Sequence, residues 1–254
     1  MKQKLMWVAA LLVLTGCEQG TFEARDSATS ESAQQRPLYA FLPTQYSWPA
    51  AQESVVVASN LAAINYYLVF DGSGSMSDSG CSDGREKIDV AKAAVKTFLK
   101  LVPADANVGL FVFDSDGIEE RVPLAPTDLR RLQKQVAAID AGGGTPLQSA
   151  VQAGYHALQR QAQSQLGYGE YHLVVITDGE ANDGEEPDEV VDDLLSQSPV
   201  MLHTIGFCIG EGHSLNRPGE TIYRAANNPA DLAQGLEAVL AEAPVYAVDA
   251  FPAN

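Results

Sequence analysis

The sequence predicts an α/β fold, a doubly wound, mostly parallel sheet with helices on both faces. Three observations lead there. From about residue 60, short apolar runs alternate with segments of helical periodicity. The runs are almost continuously apolar, as in strands buried on both faces. Residues that bear chemistry recur where those runs end, and the carboxyl ends of strands are where such sheets bind ligands.

Asn65 to Phe70 reads as the first buried strand. Glu86 to Leu101 follows as a helix, with Ile88, Val90, Ala91, Val95, Phe98 and Leu99 on one side. Val108 to Phe113 is a strand, and Glu120 to Leu124 a short one that Pro123 assigns to an edge. Asp128 to Ile139 and Pro146 to Ser164 are helices, the second with Thr145 as N-cap and Pro146 in its first turn. Tyr171 to Thr177 is a strand, Pro187 to Leu195 opens a helix, and Val200 to Phe207 is a strand. Thr221 to Arg224 forms a last short strand, and Pro229 to Ala241 a final helix.

Ahead of this domain the chain changes character. Lys2 and Lys4 precede an apolar run, Leu5 to Leu14, that is shorter than the roughly 20 residues a spanning helix needs. It fits a secretory signal. Its ending, Leu14-Thr15-Gly16-Cys17, resembles a bacterial lipoprotein signal, which implies cleavage after residue 16 and lipidation of Cys17. The alternative is an ordinary signal cut near Thr15 and Gly16, with Cys17 a free thiol. Residues 17–50 then form the lipidated N-terminus and tether, and 51–254 the domain. The tether ends in a Pro and aromatic stretch, Pro37 to Pro49, that either packs on the domain or binds something.

Three cysteines, one of them spent on lipid, leave Cys81 and Cys208. Both follow strands expected to end at one edge of the sheet, and export permits a disulfide between them. Two free buried thiols are the alternative. The net charge of −17 becomes more negative by two once Lys2 and Lys4 leave with the signal. That excludes a general nucleic-acid binder, which needs a basic footprint, and disfavours docking on anionic lipid.

The central motif is Asp71-Gly72-Ser73-Gly74-Ser75. One carboxylate and two hydroxyls at alternate positions are hard oxygen donors, suited to Mg²⁺, Ca²⁺ or Mn²⁺. The glycines let the loop fold back so that these side chains converge. Gly142-Gly143-Gly144-Thr145-Pro146 and Thr177-Asp178-Gly179 follow at a helix start and a strand end. Together the three motifs resemble the von Willebrand factor type A family and its metal ion-dependent adhesion site. The resemblance covers residues 60–245. It implies a Rossmann-like sheet with one short antiparallel edge strand. It also implies a site of Asp71, Ser73, Ser75, Thr145 and Asp178, holding Mg²⁺ (or Ca²⁺/Mn²⁺) whose free position takes an acidic residue of a protein partner.

Other candidates weigh less. Asp178 to Glu189 has the length of an EF-hand loop, but Asp183 stands where that loop requires glycine, so the segment reads as a solvated acidic loop. His156, His172 and His203 read as structural; His213, on the loop after Cys208, reads as a surface histidine, with a place near the site as the alternative. No His-Glu-x-x-His or Gly-x-Ser-x-Gly motif occurs, and Ser73 has no assigned base. The expectation is therefore a non-enzymatic, lipid-anchored binding module of the bacterial cell envelope, at the outer membrane facing the periplasm. An envelope scaffold with a non-adhesive metal is the alternative, and a metal-assisted hydrolase a remoter one.

Overall fold

The computed structural model describes residues 48–50 and 54–241. The signal segment, Cys17 and most of the tether lie outside them. Among the described residues six strands form one sheet: β1 (Ile64–Asp71), β2 (Asn107–Asp114), β3 (Gly117–Pro126), β4 (Glu170–Thr177), β5 (Met201–Phe207) and β6 (Ile222–Ala226). Their spatial order is β3-β2-β1-β4-β5-β6. Every pairing is parallel except β2 with β3.

Alternation along β1 divides the core. Tyr66, Leu68 and Phe70 face α1 (Lys87–Leu101), α2 (Leu129–Ala137) and α5 (Pro229–Ala241). Tyr67 and Val69 face α3 (Leu147–Ser164) and α4 (Asp188–Gln197). Both surfaces of the central strands are covered, which is why they carry no polar face. The six apolar residues expected inside α1 are all buried. Asp128 caps α2, its side chain accepting the Arg131 N–H.

The edge strand is antiparallel, as expected, but spans ten residues instead of a short segment. The expected segment, Glu120 to Leu124, lies inside it, and none of the residues it adds, Gly117 to Glu119, Ala125 and Pro126, is buried, so no burial pattern marks them in the sequence. Its pairing with β2 is irregular between Val108 and Phe111. Of the Pro and aromatic stretch, Trp48 packs edge-on against Tyr171 with ring centroids 4.7 Å apart. The Cys81–Cys208 disulfide is present, with Cα atoms 6.1 Å apart.

Connections run outward from β1 to β2 and β3 on one side and from β4 to β5 and β6 on the other. The strand order therefore reverses between β1 and β4, and a crevice at the carboxyl ends of these two strands is the favoured ligand position of the fold. Asp71 ends β1, and Asp178 follows the last residue of β4.

Candidate metal centre

Three loops meet at that crevice, and their backbones lock together. Gly72 N–H donates to Phe113 O (2.8 Å), Gly142 N–H to Gly72 O (2.8 Å) and Gly74 N–H to Gly143 O (3.1 Å). Gly72 is required here, since a Cβ would lie 2.6 Å from Asp114 Cβ. Gly143 adopts a φ of +79°, in the left-handed region that glycine tolerates. Asp114, buried behind Gly72, accepts both Arg121 (2.7 Å) and the Asp116 N–H (2.9 Å), which fixes the neighbouring hairpin.

Asp71 is fully buried. Its Oδ1 accepts the Ser73 N–H at 2.7 Å and its Oδ2 the Thr177 hydroxyl at 2.5 Å. Burial pushes its carboxyl up to about 6, against the pull of the Ser73 and Thr177 hydrogen bonds. Ser73 Oγ lies 3.1 Å from Ser75 Oγ, and Ser75 Oγ donates to Asp178 Oδ1 at 2.7 Å. A Cβ built on Gly179 would sit 3.7 Å from Ser75 Oγ and 3.9 Å from Thr145 Oγ, so both hydroxyls border the same small space. The structure thus brings together all five residues singled out in the sequence.

Thr145 is not the N-cap of α3. Pro146 occupies that position and provides no side-chain cap. The Thr145 main chain is instead clasped by Asn182, whose Oδ1 accepts the Thr145 N–H (3.1 Å) and whose N–H donates to Thr145 O (3.0 Å). Glu185 serves the start of α3, accepting the Ser149 N–H (2.9 Å) and its hydroxyl (2.9 Å). A carboxylate at a helix N-terminus is favoured by the helix dipole. The acidic loop is mostly exposed, as expected, but Asn182 and Glu185 hold the Thr145 segment in place.

Two further residues serve the site: Lys87, which the sequence reading missed, and His213, which it assigned by default to the surface. Lys87, at the first position of α1, reaches Asp178 Oδ2 at 2.8 Å, with its side chain only 10% exposed. A lysine in a first helical turn runs against the dipole, and that anomaly was the available signal. His213 is buried, not on the surface. Its Nδ1 accepts the Leu215 N–H (3.0 Å), so Nε2 carries the proton and donates to Gly179 O (3.0 Å). The turn after Asp178 is thereby pinned from outside. His172 and His203 are structural, a buried pair with 3.0 Å between His172 Nδ1 and His203 Nε2.

The donors are two carboxylates and three hydroxyls, an all-oxygen set that fits a hard divalent cation. Among the described residues no cluster of three or more His, Cys, Asp or Glu side chains is placed to hold an ion. Any ion here must rest on hydroxyls as well as carboxylates.

The family model described as von Willebrand factor type A domain matches residues 65–250. The chain is 29% identical over 164 residues to the uncharacterized protein YwmD of Bacillus subtilis, covering 59% of this chain and 70% of that one. Among solved structures, a von Willebrand factor type A protein from Catenulispora acidiphila superposes with a TM-score of 0.56 at 18% identity, covering 71% of this chain and 42% of that one. A mutant of the PilB minor pilin from Streptococcus sanguinis gives 0.56 at 13% identity, with 72% and 61% covered. The chain thus spans less than two thirds of either solved structure.

Proposed function

Because the chain belongs to the von Willebrand factor type A domain family, we propose that it is a binding module that takes up a divalent cation to hold a protein partner. Asp71, Ser73, Ser75, Thr145 and Asp178 would hold the ion, which would be Mg²⁺, Ca²⁺ or Mn²⁺. When bound, the ion supplies an electrophilic face that accepts an outside carboxylate, as from an Asp or Glu of the partner. The observation that carries this reading is the chain of oxygens Ser73–Ser75–Asp178 beside Thr145, at the point where the strand order reverses.

The protein's own residues do the positioning. Thr177 and the Ser73 N–H orient the Asp71 carboxylate. Asn182 fixes the Thr145 loop, and His213 fixes Gly179. With both ring nitrogens engaged, His213 is not available as a base for Ser73, which favours binding over hydrolysis. The likeness to a minor pilin accords with attachment between proteins, and the signal-like N-terminus with a lipid-anchored place in the cell envelope, at the outer membrane facing the periplasm. The test is capture from a cell-envelope extract by the immobilised chain, in Mg²⁺ and in chelator. A partner retained only in Mg²⁺ and lost with Asp71→Ala supports the reading. A partner retained equally in chelator assigns the site to the scaffold role instead.

A further inference from the structure

Lys87 is an unusual neighbour for a cation site. Long cationic side chains are seldom buried without a partner, and the N-terminal turn of a helix repels positive charge. Yet Lys87 opens α1 with its ammonium 2.8 Å from Asp178 Oδ2, while the other oxygen of that carboxylate takes the Ser75 hydroxyl. Its backbone N–H donates to Asp78 O at 2.9 Å, anchoring it to the loop that leaves the Ser75 turn. Cys81, three residues further along that loop, is bridged to the end of β5. The lysine is therefore held in place from both sides of its helix entry.

Charge bookkeeping gives this placement a consequence. Among the described residues no third carboxylate joins Asp71 and Asp178 in a cluster there, and the three hydroxyls are neutral. Asp114, the next nearest buried acid, is already matched by Arg121. Lys87 thus cancels one of the two negative charges available to an ion. A divalent cation then leaves the centre net positive, whereas without the lysine it would be neutral.

Resting on the metal-binding reading, we propose that Lys87 is a built-in counter-cation that couples uptake of the metal to uptake of an outside carboxylate. The site holds its ion loosely alone and firmly when an acidic group from the partner completes the charge balance. Lys87 acts here as a positioning and specificity residue, through Asp178 and through its field, without serving as a ligand.

Calorimetric titration of the full chain with Mg²⁺ tests this, in acetate and in chloride at matched ionic strength, for the wild type, Lys87→Met and Lys87→Arg. Charges separated by a few ångströms in a largely buried site are worth roughly tenfold or more in affinity. The wild type should bind Mg²⁺ roughly tenfold more tightly in acetate. Lys87→Met should bind in chloride roughly tenfold more tightly than wild type and lose most of the acetate gain, while Lys87→Arg keeps the wild-type pattern. A wild type indifferent to acetate overturns the proposal, whether or not Lys87→Met folds. So does a folded Lys87→Met no tighter than wild type. In both cases Mg²⁺ still binds and the metal reading stands. If neither protein binds Mg²⁺ while circular dichroism shows both folded, the metal reading falls, and the role of Lys87 with it.

Discussion

Replacing Cys81 and Cys208 together with serine removes a cross-link between residues 127 apart in sequence. In the chain-entropy description, opening a loop of that length releases about 5 kcal/mol of restraint on the unfolded ensemble. Part of this is offset in the folded state. Cys81 and Cys208 have φ values of +46° and +67°, a region that costs a residue with a side chain roughly 1–2 kcal/mol. Freed of the bridge, these two positions can relax and recover some of that cost. The expected net loss is about 3–5 kcal/mol, a large share of the 5–15 kcal/mol typical of a folded domain. Urea unfolding followed by circular dichroism reads it as a lower midpoint, with a steeper transition because the unfolded chain expands further. An unchanged midpoint in the double variant would refute the argument, showing that the cross-link restrains nothing that the folded sheet does not already hold.

Two further predictions concern acid and packing. Asp71 titrates near 6 in the fold against 3.8 in its ordinary state. Its contribution to stability is therefore full below 3.8 and is lost as pH rises through about 6, up to about 3 kcal/mol in metal-free protein. Burial, with a smaller push between the two rings, lowers His172 to about 3, and burial lowers His203 to about 4, from 6.5. They act in the opposite sense, stabilising above 6.5 and costing on the order of several kcal/mol as pH falls towards 4. Thermal melts across that window should show the histidine slope alone in Asp71→Asn; identical pH profiles for variant and wild type would contradict the Asp71 assignment. In Gly154→Ala, the added methyl would lie 2.4 Å from Leu173 Cδ1, so about 1–3 kcal/mol of overpacking outweighs a gain of about 1 kcal/mol in helix propensity, and the melting temperature should fall.

The elements were legible wherever burial wrote itself into the sequence. Leu68-Val69-Phe70 and Leu173-Val174-Val175-Ile176 are apolar throughout because helices cover both faces, and α5 begins at the expected Pro229. β3 was read too short because the residues beyond Glu120 to Leu124, Gly117 to Glu119 with Ala125 and Pro126, lie unburied on an edge and carry no apolar pattern. The strand order was not legible, since it depends on which way each crossover runs, and no local pattern carries that. Within the site, Asp71, Ser73, Ser75 and Asp178 announced themselves through loop chemistry at strand ends. Thr145 misled as a cap: the local rule for a hydroxyl before Pro146 lost to tertiary demand, with Asn182 clasping its main chain and Glu185 serving the helix. Lys87, and the contact that His213 makes, were hidden because their partners, Asp178 and Gly179, lie far away in sequence and are met only when the loops assemble.

The central claim is that the Asp71, Ser73, Ser75, Thr145 and Asp178 oxygens hold a divalent cation. Titration of the full chain with Mg²⁺, beside Asp71→Ala, tests it most directly. Saturable binding in the wild type that disappears in a folded Asp71→Ala is the expected result. Equal Mg²⁺ binding by both proteins would place the ion elsewhere and contradict the account.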